Sequence, residues 1–161
     1  MTAARPLLVV GGGKMGGALM AGWISRGIPA AGIFVVEPNL DNASALVRDL
    51  GVTVAAAADD LPPDFLPELV MFAVKPQVMA DVVPAYLPFA GPATVFLSIA
   101  AGTPIALFED CLGEVAAIVR VMPNTPAAVG RGASVAGQRS RGRANCCTDR
   151  PRTHPIPCAA T

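Results

Sequence analysis

The stretch Leu7-Leu8-Val9-Val10-Gly11-Gly12-Gly13-Lys14-Met15-Gly16-Gly17-Ala18-Leu19-Met20 decides the fold. Four apolar residues stop at glycines, and a helical pattern starts straight after them. An unbroken apolar run suits a parallel strand buried on both faces. Met15, Leu19, Gly22 and Trp23 then share one helical face, and Met20 and Trp23, at helical spacing, read as core. Between strand and helix, Gly11, Gly13 and Gly16 fit G-x-G-x-x-G, the turn that binds the pyrophosphate of a dinucleotide. Each glycine has its own task. Gly11 permits the tight turn, Gly13 lets a phosphate approach the backbone, and Gly16 lets the helix pack closely on the sheet. Gly12, Lys14 and Met15 complete the loop, and the free N–H groups and positive dipole end of the helix that follows face the phosphates. A second requirement is an acidic residue about 20 positions on, closing the next strand, to hold ribose hydroxyls. Ile33-Phe34-Val35-Val36 reads as that strand and Glu37 closes it.

Outward from this unit, strands and helices alternate. Val52-Thr53-Val54, Leu69 to Val74, Val95 to Ile99 and Ala117 to Val121 read as further strands. Asp41 and Asn42 are candidate caps for a helix through Ala45, Leu46 and Leu50, and Gly51 is its stop. Pro62, Pro63 and Pro67 forbid a continuous helix between Asp59 and Pro67. Val78 to Tyr86 can form a short helix, and Pro104 suits the first position of another. The pattern predicts an α/β fold with a doubly wound, mostly parallel Rossmann-type sheet. Ligands of such sheets bind at the carboxyl ends of the strands. Here those ends are Gly11–Gly16, Glu37, Val74–Pro76, Ala100–Gly102 and Met122–Pro126, five segments expected to converge on one crevice.

Composition agrees with one buried α/β domain: 53% of the 161 residues are hydrophobic and 15% charged. The zero net charge hides a break. Residues 1–130 hold six Lys/Arg and eleven Asp/Glu, whereas residues 131–161 hold six Arg and one Asp. From Gly137 onwards neither a helical nor a strand period remains, and Pro151, Pro155 and Pro157 interrupt the chain. The expected division is a dinucleotide-binding domain over 1–136 and a disordered Arg/Cys/Pro-rich tail over 137–161. Cys146, Cys147, His154 and Cys158 contain no Cys-x-x-Cys pair, so no metal site is expected. The tail's arginines lack interleaved aromatics, so no specific nucleic-acid partner is expected. No apolar run is long enough for a membrane span, and cysteine usage points to a reducing, cytoplasmic setting.

Four segments together resemble pyrroline-5-carboxylate reductase. They are Gly11-Gly12-Gly13-Lys14-Met15-Gly16, Phe72-Ala73-Val74-Lys75-Pro76-Gln77, Ser98-Ile99-Ala100-Ala101-Gly102, and Arg120 to Gly132 with its Met122-Pro123-Asn124-Thr125-Pro126 core. The first alone fits many reductases; the second and fourth, in this order, are far more specific. The resemblance covers about residues 5–135. It implies hydride transfer from NADP(H) or NAD(H) to the C=N bond of 1-pyrroline-5-carboxylate, giving L-proline. It also implies that backbone at Ala73, Val74, Lys75 and Pro76 and at Ala100, Ala101 and Gly102 lines the nicotinamide end. Met122 to Pro126 would shape the floor near the reacting carbon. The family forms homo-oligomers through a helical domain that also holds the substrate carboxylate, and nothing from Gly137 on resembles that domain. The expectation is a cofactor half followed by a frame-shifted or truncated ending.

Two departures bear on the cofactor. Glu37 accepts a ribose 2′-OH but repels a 2′-phosphate, and Ala58-Asp59 stands where members of the family can carry an Asn near the adenosine. Among reacting groups, Asn124 and Thr125 are weak candidates for hydrogen bonds to substrate or nicotinamide amide, against plain turn chemistry between prolines. Lys75 reads as a solvated residue at a strand end rather than a proton donor. The alternative functions are a nucleotide-binding remnant without turnover, or another NAD(P)-dependent reductase of the same fold.

Overall fold

The computed structural model describes residues 5–123 and 134–139. Its strands are β1 (Leu7–Val10), β2 (Ile33–Val36), β3 (Thr53–Ala55), β4 (Leu69–Phe72), β5 (Val95–Ser98), β6 (Ala117–Pro123) and β7 (Ser134–Arg139). Its helices are α1 (Lys14–Ser25), α2 (Leu40–Leu50), the single turn α3 (Met79–Val82) and α4 (Ile105–Leu112). Tight 3-10 turns flank α3 over Pro76–Val78 and Val83–Phe89, the second holding Pro88. The sheet order is β3-β2-β1-β4-β5-β6-β7. Every pair is parallel except β6 with β7. This is the mostly parallel, doubly wound arrangement that the alternation of strands and helices predicts.

The chain starts in the middle at β1, steps outward to β2 and β3, then returns to place β4 on β1's other side. Strand order therefore reverses between β1 and β4, and the crevice of an open α/β sheet lies at such a switch point. Leu7 to Val10 pair in register with Ile33 to Val36 and with Leu69 to Phe72, so the three strands end level.

Side-chain alternation splits the core into two layers. Leu8, Val10, Val70, Phe72, Phe96 and Ile118 face Met79, Val83, Tyr86, Phe108 and Leu112. Val9, Ile33, Val35 and Met71 face Met20, Leu46 and Val52. Central strands covered on both faces explain why β1, β2 and β4 read as unbroken apolar runs. Phe72 is the hub of the first layer, with ring centroids 5.4 Å from Tyr86, 5.6 Å from Phe108 and 6.3 Å from Phe96. The face of α1 that meets the second layer is centred on Gly16 and Met20, with Leu19 and Trp23 beside them. Met20 and Trp23 thus belong to the core as expected, whereas Met15 lies to one side of that face.

Three local expectations shift. The cap of α2 is Asn39, whose side chain accepts from the Asn42 N–H at 2.9 Å, not Asp41 or Asn42. The helix begins at Leu40, so Asp41 already lies in its first turn, where its charge suits the helix dipole. Pro104 is the extended residue before α4 rather than its first helical one. Gly51 ends α2 as expected, at φ +68° with its N–H on the Val47 carbonyl. Finally, β7 crosses the expected limit at residue 136: Gly137, Gln138 and Arg139 pair with Arg120, Val119 and Ile118. An edge strand can be held by its main-chain ladder without an apolar period, which hid it in the sequence. Residues 140–161, the rest of the expected tail, lie outside the described residues.

Candidate functional site

Because the first six strands run parallel, their carboxyl ends share one edge of the sheet. Gly11 follows β1, Glu37 follows β2, Ala73 to Pro76 follow β4, and Ala100 to Gly102 follow β5. Four of the five segments expected to converge thus lie along one edge of the sheet; the fifth, Met122–Pro126, passes outside the described residues after Pro123. Main-chain bonds extend the strands into them: Gly11 N–H donates to Val36 O at 2.9 Å and Ala73 N–H to Val10 O at 2.8 Å. Asn124 and Thr125 lie outside the described residues.

The glycine turn is built as its spacing implies. Gly11 has φ +95°, and a Cβ there would stand 2.9 Å from Val74 Cγ1 and 3.0 Å from the Ala73 carbonyl oxygen. Any side chain would force β1 and β4 apart at the switch point. A Cβ on Gly16 would collide with the Gly11 carbonyl oxygen and lie 3.3 Å from the Ala73 Cβ, so this glycine brings α1 down onto the turn. Gly13 differs from both, since a Cβ there meets nothing within 4 Å. Its space opens ahead of α1, where the first-turn N–H groups have no intrahelical acceptor. Gly13 itself is the helix cap and supplies no side-chain cap, and no carboxylate stands in the first turn. Lys14, exposed, begins that turn. The donors therefore remain available to an anion.

Glu37 is only 8% exposed, and both its oxygens are engaged. Oε2 accepts from the Gly12 N–H at 2.8 Å, and Oε1 accepts from the Asn39 N–H at 2.9 Å. The carboxylate thus ties the glycine turn to the start of α2. Carboxylate oxygens have further lone pairs, so these bonds leave acceptor capacity for a ribose hydroxyl. Nothing in the sequence revealed this double clamp, because Gly12 lies 25 residues away and donates through its backbone.

The far side of the crevice is backbone. Lys75, Pro76, Ala101 and Gly102 are exposed, Ala100 is buried, and Gly102 turns at φ +75°. Ala100 N–H donates to Ser98 Oγ at 3.3 Å, which fixes the bend out of β5. The shallow groove of about 310 Å³ between α1 and α2 touches the site only through Gly12 and is a helix–helix seam. The opposite edge of the sheet is a structural clamp. Arg5 donates to the carbonyls of Leu66, Pro67 and Ala93, and Thr94 Oγ1 donates to Pro67 O.

A glycine turn at the switch point of a mostly parallel sheet, with an acidic residue closing the next strand, is the arrangement of a Rossmann-type fold. The family model described as NADP oxidoreductase, coenzyme F420-dependent, matches residues 7–102, and the chain belongs to that family. The chain is 35% identical to the pyrroline-5-carboxylate reductase of Pseudomonas aeruginosa over 125 residues, 78% of this chain and 45% of the relative. It is 36% identical to that of Haemophilus influenzae over 123 residues, 76% of this chain and 44% of the relative. The solved pyrroline-5-carboxylate reductase of Coxiella burnetii superposes with TM-score 0.78 at 26% identity, covering 88% of this chain and 52% of that one. The Plasmodium falciparum pyrroline carboxylate reductase, solved with NADP bound, gives 0.71 at 25% identity, covering 87% and 50%. The chain spans about half the length of the relatives it matches. The resemblance carried by the four sequence segments is borne out.

Proposed function

We propose that this chain is the cofactor-holding part of a pyrroline-5-carboxylate reductase. The observation that carries the reading is the Gly11–Gly13–Gly16 turn at the β1/β4 switch point, in a chain whose curated relatives bear that name. When bound, a nicotinamide dinucleotide supplies the hydride that reduces the imine carbon of 1-pyrroline-5-carboxylate, the imine nitrogen gaining a proton, to give L-proline. The protein's part is to bind and orient. The N–H groups at the head of α1, with Gly13 leaving them bare, hold the pyrophosphate. Glu37 holds the adenosine ribose. Backbone at Ala73–Pro76 and Ala100–Gly102 fixes the nicotinamide end, so that one ring face is presented to the imine. Asn124 and Thr125 are the candidates for hydrogen bonds at the reacting end, within a segment shared with the family.

A second reading, nucleotide binding without turnover, draws support from the exposure of Lys75, Pro76, Ala101 and Gly102. Among the described residues, nothing encloses an imino acid over them. Titration of the purified chain with NADH and NADPH, followed by addition of pyrroline-5-carboxylate in the same cuvette, separates the readings. Binding with turnover establishes the reductase. Binding without turnover favours the second reading, with substrate enclosure left to a further protein part such as the helical, oligomer-forming domain of the family. Failure to bind either nucleotide refutes both.

A further inference from the structure

Resting on that reading, the structure also bears on which dinucleotide fits. We infer that Glu37 makes this site selective for a dinucleotide with a free ribose 2′-hydroxyl, NAD(H) over NADP(H). This departs from the NADP in the family's description and in the Plasmodium falciparum structure.

Three observations carry it. First, the carboxylate cannot swing aside. Its oxygens are clamped to the N–H groups of Gly12 and Asn39, and only 8% of the residue is exposed. A free glutamate at a strand end could rotate into solvent to admit a phosphate; this one would have to abandon two charge-assisted hydrogen bonds, one of them within the phosphate turn itself.

Second, among the described residues the ribose corner has no cation to offset it. Between Arg26 and Lys75 the sole Lys or Arg of the sequence is Arg48. Arg48 sits in the last turn of α2, ion-paired with Asp49 at 2.7 Å, and so lies at the end of the helix away from Glu37. Sites that take a 2′-phosphate supply an Arg nearby. Lys14 stands at the head of α1, where it serves the pyrophosphate common to both cofactors.

Third, the neighbouring segments add negative charge. Asp41 lies in the first turn of α2, and Asp59 and Asp60 follow β3 at the same edge of the sheet. A phosphate monoester brings about two more negative charges to this corner at neutral pH. A 2′-hydroxyl brings a donor that a carboxylate accepts. Repulsion between unit charges at hydrogen-bonding distance, even well solvated, is enough for about a tenfold difference in affinity.

The test is a fluorescence titration of the full chain with NADH and with NADPH, at low and at high salt. The expected result is NADPH binding at least about tenfold weaker than NADH, with the gap narrowing as salt screens the repulsion. Two variants sharpen it. Glu37→Gln removes the charge while retaining an acceptor for Gly12, and should narrow the ratio. Leu40→Arg adds a cation beside the corner, at a side chain 79% exposed, and should tighten NADPH while leaving NADH binding unchanged. Equal or tighter binding of NADPH by the unaltered chain, or a ratio that neither variant moves, overturns the inference while leaving the dinucleotide site intact. Binding of neither nucleotide overturns the site as well.

Discussion

Gly16 and Gly13 belong to one motif, yet alanine at the two positions should fail in different ways. At Gly16 the new methyl collides with the Gly11 carbonyl oxygen and presses on the Ala73 Cβ at 3.3 Å. The first neighbour is backbone in a turn fixed by the Gly11 N–H bond to Val36, so it cannot yield cheaply. Overpacking of this kind costs about 1–3 kcal/mol. Alanine regains about 1 kcal/mol of helix propensity within α1. The clash wins, and the net loss is on the order of 1 kcal/mol, or about 2–4 °C in Tm for a chain of this size. At Gly13 the methyl enters open space at an ordinary φ of −64°. Loss of a glycine cap costs a few tenths to about 1 kcal/mol, and the stiffer unfolded chain returns a similar amount, so stability should hardly move. Binding should suffer most there, because the methyl occupies the approach to the α1 N–H groups. Urea melts and nucleotide titrations of both variants check this. A Gly13→Ala protein that binds normally, or a Gly16→Ala protein as stable as its parent, would refute the division of labour between the two glycines.

The other predictions concern the frame around the site. Asn39→Ala removes the cap of α2 and should cost about 1 kcal/mol by denaturant titration. It leaves the backbone N–H that holds Glu37 Oε1, so nucleotide binding should fall less than stability. Phe72→Ala empties the centre of a fully buried aromatic cluster and should cost about 3–5 kcal/mol, enough to unfold the chain at modest urea. Burial pushes the Tyr86 phenol above its ordinary value, so the folded state favours the neutral form. Its contribution is complete below about pH 10, where the unfolded phenol titrates, and declines as pH rises further. Tyr86→Phe should therefore flatten the alkaline end of the stability profile, and an unchanged alkaline slope would count against it.

Most of the sheet could be read from the sequence because its signals are local. A parallel strand covered on both faces must be apolar throughout, and the turns between strands need residues such as Gly51 that tolerate a left-handed backbone. The glycine turn was legible for the same reason: Gly11 and Gly16 answer constraints set by atoms within one strand–turn–helix unit or the residues after its neighbour β4, and Gly13 leaves open space ahead of α1. What escaped depends on relations between segments. Asn39, Asp41 and Asn42 are all competent caps, and only the point where the chain leaves β2 decides among them. Strand β7 carries a polar, arginine-bearing sequence whose structure comes from β6's ladder rather than from its own pattern.

Glu37 falls between these cases, and that position explains its role. Its residue type and spacing from the glycines make it the proposed ribose acid, but its consequence rests on two backbone donors that no pattern displays. A carboxylate with a free rotamer would merely prefer a hydroxyl. One held by the phosphate turn at one oxygen and the next helix's cap residue at the other makes the preference a property of the fold. Accommodating a 2′-phosphate would then mean loosening the turn proposed to bind the pyrophosphate. On that proposal, cofactor choice and cofactor binding are joined through the Gly12 N–H.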